Sequence, residues 1–364
     1  MLRRPTGLIP PLAVTMAVTL AVSAVATLAP AAAMTPTVSQ RESSATVQSQ
    51  LRGARVEAAP WASVVLDRRL SMGRPATTID TADRAAVVAA YRTELQPLLS
   101  LRTGWTGSVA TCDPGTVSAR NQRAVRRAVN YVRGMAGLMP VTMDPDLSVM
   151  SQAAALIMLA NSTLTHTPDS SMTCWTKAGS DGAGHGNLTM SWGYEERKAP
   201  TGARAVVGYM TDSGDNNTPV GHRRWLLYPG LKVIGNGDTT AGNSIYVVSN
   251  RWRTVAPSWV SWPTAGFFPR ELEPEGRWSV SYPKADFSGA SVQITRGSTV
   301  LPVSVYPTHV GYGENTLVWE VDLPSAYLTS AKDITLRVRV SGIVMPSGTT
   351  VTKSWRTTLV TAAA

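Results

Sequence analysis

The chain has 364 residues and a formal net charge of +10, with charged residues making up 16% of it. That length suits about two domains with a sizeable core. The basic residues are mostly arginines scattered along the chain, with no Lys/Arg run interleaved with aromatics. This excludes a nucleic-acid site but leaves long-range attraction for acidic envelope polymers or anionic lipid heads.

The first residues have the pattern of an export signal. Arg3 and Arg4 precede an apolar stretch from Leu8 to Leu28, and Ala31-Ala32-Ala33 supplies the small residues a signal peptidase needs. Residues 1–33 are therefore expected to be removed. The mature protein would be secreted and extracellular, not integral to a membrane, and of bacterial type. No later stretch is long and apolar enough to span a bilayer. Residues 34–75 are rich in Ser, Thr, Gln, Ala and Arg and predict a disordered leader.

Two cysteines, Cys112 and Cys174, stand alone. In an exported chain such a pair predicts one disulfide. Two free thiols serving catalysis or metal are the alternative, disfavoured because neither cysteine has a CxxC spacing.

A helical pattern starts at Asp80 or Thr81, with Val87, Val88, Tyr91 and Leu95 on one face. A second runs from about Ser118 to Gly134, its apolar face formed by Val125, Ala128, Val129, Val132 and Met135. Arg123, Arg126, Arg127 and Arg133 are assigned to a solvated side. Asp144-Pro145 opens a third helix, Asp as N-cap and Pro at the first helical position, stopping at Asn161. Another begins at Pro200 or Thr201 and ends near Asp212, and 221–225 is expected to be a short turn. Lys232–Asn236 and Ser244–Ser249 predict two strands around a turn. Beyond Pro263 only short strands with turn residues between them are visible, and alternation is clear in Leu336, Val338 and Val340. That pattern predicts an immunoglobulin-like β-sandwich over 263–364.

The middle region, about Cys112 to Asn250, resembles the CAP superfamily (cysteine-rich secretory, antigen 5 and pathogenesis-related proteins). Asn130-Tyr131-Val132-Arg133 is similar to the family's opening helix, and Gln152 to Leu159 to its Ala-rich second helix. His166 falls at the first cavity histidine, and Gly186-Asn187-Leu188 resembles the Gly-Glu-Asn-Leu segment. Tyr209 to Asp212 resembles Trp-x-x-Glu, and Gly221-His222 the Gly-His of the last signature. The ordered set carries the resemblance rather than any single motif. It implies a CAP-like α-β-α sandwich over 76–262, followed by the β-sandwich.

The resemblance also implies a cleft lined by two histidines and two acidic residues, which in some members holds a divalent cation such as zinc. The positions here are His166, Asp212 and His222. The fourth falls on Gly186, which has no side chain; His185 beside it is the substitute. With one carboxylate missing, the expectation is a binding module for a lipid or cell-envelope ligand, with any zinc weakly held. Two alternatives stand beside it. One is a metal-assisted hydrolase in which His166 and His222 hold zinc, with Asp212 as third metal ligand or general base; the other is a surface module with an inert cleft. HExxH and GxSxG are both absent. The acidic pair Glu195-Glu196 is taken as solvated.

Overall fold

The computed structural model describes residues 78–191, 196 and 198–363. The signal over 1–33, the leader over 34–75 and Glu195 lie outside the described residues. The chain divides into two units, Met1–Ser71 and Met72–Ala364, and every described residue is in the second.

Helix α1 spans Arg84–Ala90 and continues through a π turn, Tyr91–Leu95, and a 3-10 turn, Gln96–Leu98. Asp83 caps it by accepting from the Ala85 N–H. Helix α2 is Ala119–Met135, capped by Ser118, and α3 is Pro145–Asn161, capped by Asp144 as its Asp-Pro start predicts. Between them β1 is only Thr142–Met143. Helix α4, Lys177–Gly184, and strand β2, Gly186–Met190, occupy a stretch that the sequence leaves as loop. Then come α5, Ala203–Thr211, and α6, Gly221–Leu226, the latter a short helix where a turn is expected. Strands β3, Val233–Asp238, and β4, Gly242–Tyr246, follow close to the predicted pair.

These strands form one sheet in the order β1-β3-β4-β2, parallel at β1–β3 and antiparallel elsewhere. Successive side chains on a strand point to opposite faces, so β3 divides its contacts. Gly235 and Gly237 lie against α3 so closely that a Cβ would stand 2.2 Å from backbone atoms of Leu147 and Gln152. The alternate residues Asn236 and Asp238 meet α2, where Asn121 and Gln122 donate to them. Helices on both faces of a mixed sheet match the expected α-β-α layering.

Arg133 corrects one sequence assignment. It is fully buried, and its guanidinium donates to the carbonyls of Met139, Leu226, Tyr228 and Leu231. Burial is the main reason its pKa falls to about 9. Carbonyl dipoles in α6 and the loop after it compensate the charge, so Arg133 holds α6 against α2 instead of facing solvent.

The remaining strands are β5 (Val260–Trp262), β6 (Gly266–Pro269), β7 (Arg277–Ser281), β8 (Ser291–Arg296), β9 (Thr299–Leu301), β10 (Val303–Val305), β11 (Thr316–Val321), β12 (Ile334–Val344) and β13 (Thr350–Val360); the one-turn helix α7 is Ser325–Leu328. They make two sheets, β10-β11-β7-β5 and β6-β13-β12-β8-β9. All pairings are antiparallel except β6 with β13. Burial alternates strictly along Leu336, Val338 and Val340, as their spacing predicts. Trp278 and Trp319 share one apolar core with Val206, Tyr209 and Val129 of the helical layers. The Cys112–Cys174 disulfide is present, with Cα atoms 5.0 Å apart. Among the described residues no helix is long and apolar enough to cross a membrane.

Candidate functional site

The site begins where α5 ends. Asp212 takes a left-handed conformation, φ 54°, directly after the helix, which turns its carboxylate back toward the start of α6. There Oδ1 accepts from His222 Nδ1 at 2.7 Å and Oδ2 accepts the Arg223 N–H at 3.2 Å. The carboxylate is completely enclosed, whereas the His222 side chain is 20% exposed. A carboxylate on Nδ1 fixes the ring's orientation and leaves Nε2 as the nitrogen free of Asp212.

Two further groups hold this histidine. The Tyr209 ring, one turn earlier on α5, stacks on it with centroids 5.2 Å apart. Asn187 on β2 donates to the His222 carbonyl at 2.9 Å. The Tyr209 hydroxyl lies 3.0 Å from the Asn187 carbonyl and 3.0 Å from Asn243 Oδ1. Burial pushes that phenol well above its ordinary range, so it stays a neutral donor.

Behind Tyr209 the network ends on Asp238, fully buried on β3. Its two oxygens accept from Asn121, Asn236 and Asn243 side chains and from the Gly202 N–H, at 2.7 to 2.9 Å. Burial raises its carboxyl pKa, and the four donors pull against that rise. Gly202 is positioned for this by φ 58°, and a Cβ there would strike Asn121 Oδ1 at 2.6 Å.

Arg223 and Arg277 brace the same corner. Arg223 donates to the carbonyls of Met210 and Thr211 at the end of α5, and across to Arg277 O and Ser279 Oγ on β7. A cation there complements the helix C-terminus. Burial lowers its pKa to about 10, against the pull of Asp212. In return, the Arg277 side chain donates to the carbonyls of Asp212 and Gly214.

The other sequence candidates sit nearby with different partners. His166 Nδ1 pairs with the Ala183 carbonyl at 2.9 Å. His185 Nδ1 pairs with the Asp181 carbonyl at 2.8 Å, and its ring stacks on Tyr246. His166 and His222 thus both engage the segment 183–187, one through Ala183 and the other through Asn187. Gly186 lies within that segment. It is buried, and a Cβ would lie 2.7 Å from the Gly182 carbonyl and 3.0 Å from Ser244 Oγ. The carboxylate that the family resemblance places there has no room in this backbone.

Among the described residues no three His, Cys, Asp or Glu side chains gather closely enough to hold a metal ion. Of the three candidate ligands, Asp212 and His222 pair with each other through Nδ1, and His166 Nδ1 pairs with the Ala183 carbonyl. Glu196, expected to be solvated, instead accepts from the Thr103 N–H and hydroxyl.

Sequence reasoning finds Asp212 and His222 but misses Tyr209 as the ring's stacking partner, Asn187 as its anchor, and Arg223 and Arg277 as braces. Arginine followed by arginine in a short polar stretch gives no sign that both are buried. Residues 126–251 match the family model described as Cysteine-rich secretory protein family, CAP. No curated protein matches the chain. This matched segment, which contains the Asp212–His222 pair and the strands around it, is similar to a CAP domain.

Proposed function

We propose that this chain is a secreted CAP-domain protein that acts by binding a lipid or another cell-envelope ligand at a cleft beside His222, and that residues 263–364 form an immunoglobulin-like sandwich supporting that cleft. The observation that carries the reading is the enclosed Asp212 carboxylate on His222 Nδ1, with the ring part-exposed. A ring fixed from behind and reachable from the front is a preorganised hydrogen-bonding group for a ligand. Secretion is supported by the disulfide and by the signal-like first residues. The metal-assisted hydrolase reading has less support, because among the described residues no three candidate ligands gather at one point and Gly186 has no room for a carboxylate.

The test is co-sedimentation of the mature protein with phospholipid vesicles and with isolated envelope material. His222→Ala should weaken binding to the preferred one about tenfold, the scale of one well-placed charge-assisted hydrogen bond. Binding unchanged by His222→Ala, or no binding to either, would overturn the proposal.

A further inference from the structure

The five strands β6, β13, β12, β8 and β9 contain no Asp or Glu, yet carry Arg296, Arg337, Arg339, Lys353 and Arg356. Three of these arginines share the outward face. Along β12, Arg337 and Arg339 alternate with the buried Leu336, Val338 and Val340, so both point away from the core. Arg356 of β13 is the direct cross-strand partner of Arg337. On the other side, Thr295 and Gln293 of β8 stand opposite Arg337 and Arg339. Gln293, Thr295, Arg337 and Arg339 line one shallow depression.

Like charges placed directly opposite on a sheet are destabilising. Here nothing offsets them: among the described residues none of the three arginines makes an ion pair. The nearby carboxylate of Asp333, at the start of β12, is paired with Arg84 of α1. The middle of the face is otherwise built of hydroxyls and an amide, with Thr335, Ser354 and Thr358 beside the arginines, and exposed apolar residues stand at its margins, Val300 at the β9 edge and Val344 at the end of β12.

We propose that this face is a second binding surface, separate from the His222 cleft, whose partner is an acidic polysaccharide. Three guanidinium groups fork toward carboxylate or phosphate oxygens, while the Ser, Thr and Gln side chains between them hydrogen-bond sugar hydroxyls. A membrane surface fits less well, because interfacial docking relies on aromatic and aliphatic side chains that penetrate the headgroups, and the middle of this face has none. The chain's own segment 34–77 is no better match. It carries Arg41, Arg52, Arg55, Arg68, Arg69 and Arg74 against Glu42, Glu57 and Asp67.

The experiment measures binding of the full mature chain to immobilised polygalacturonate at about 0.1 M salt, where exposed charges are screened beyond about 10 Å. The triple variant Arg337→Ser, Arg339→Ser, Arg356→Ser is compared with a control triple, Arg102→Ser, Arg120→Ser, Arg123→Ser, taken from exposed arginines elsewhere. The double variant Arg337→Gln, Arg356→Gln repeats the measurement with side-chain bulk retained. The sheet triple should weaken binding about tenfold or more and the control triple about twofold or less, the sum of a few exposed ionic contacts against a general charge effect. Binding of the sheet triple to phosphatidylglycerol vesicles should change no more than that of the control triple, about twofold or less, and binding of His222→Ala to polygalacturonate should be unchanged. Equal losses for the two triples would reduce the effect to net charge. A loss of vesicle binding without a loss of polygalacturonate binding would make the face a membrane surface. Absence of polygalacturonate binding by the wild-type chain would overturn the proposal outright.

Discussion

At the scale of single residues, the corner around His222 is organised from its buried side outward. Asp212 is enclosed, bonded to the ring and to the backbone N–H of Arg223, and itself held by Arg277. Asp212→Ala therefore removes the ring's orientation and leaves a buried N–H unpaired. It is expected to cost about 1–3 kcal/mol in chemical denaturation and to reduce ligand binding as much as His222→Ala does. Asp238 is more deeply committed. Replacing it by Leu strands the Asn121 and Asn236 amides and the Gly202 N–H, while Asn243 keeps Asn236 and Gly237 as partners, and stability should fall by at least about 3 kcal/mol; a loss below about 1 kcal/mol would show that the network relaxes. Asp212 and His222 were legible because each falls at a motif position. Arg133, Arg223 and Asn187 were not, since their partners are backbone carbonyls distant in sequence, and a carbonyl leaves no mark in a side-chain pattern.

At the scale of elements, the helices with local signals were legible. Asp144-Pro145 announces α3, and its Asp144 side chain accepts from the Leu147 N–H as an N-cap does. Asp144 also meets Arg251 at 2.6 Å. Burial raises its pKa, but the Arg251 hydrogen bond and the Leu147 N–H outweigh that, and the net direction is down from 3.8. A lowered carboxylate contributes stability above its unfolded value, lost as pH falls through the folded one. Asp144→Ala should thus cost about 1 kcal/mol at neutral pH, and the gap to wild type should close at pH well below 3.8; a gap that persists in acid would contradict this. Helix α4 was illegible because KAGSDGAG has weak helix propensity. Its glycines serve packing instead: a Cβ on Gly179 would meet Ile157 at 2.5 Å, and one on Gly182 would meet the Met150 carbonyl at 2.2 Å. The loop leading into α4 is tied by Cys112–Cys174 across 62 residues. Reduction should lower stability by about 4 kcal/mol on the chain-entropy scale, read as a shift of the denaturation midpoint.

At the scale of the whole described unit, the helical layers and the β region are joined by reciprocal bonds. Arg223 of α6 reaches β7, and Arg277 of β7 reaches the end of α5. Trp278 and Trp319 lie in the same core as Val206 and Tyr209. The change of pattern near Pro263 told where short strands begin but not that they share a core with the helices, because periodicity records which face is buried and not against what. Calorimetry should show one cooperative transition for this unit, and Arg223→Ala should move it without splitting it; two separated transitions in the wild type would contradict the coupling.

The central claim is that His222, fixed through Nδ1 by Asp212, offers its other ring nitrogen to a ligand. The most direct measurement is a titration of the 15N-histidine-labelled mature protein with the lipid or envelope fraction that it co-sediments with, following the ring nitrogens by NMR. The His222 Nε2 resonance is expected to shift with saturation, the exposed His309 is expected not to respond, and Asp212→Asn is expected to weaken the response. A ligand that binds while leaving the His222 resonances unmoved would contradict it.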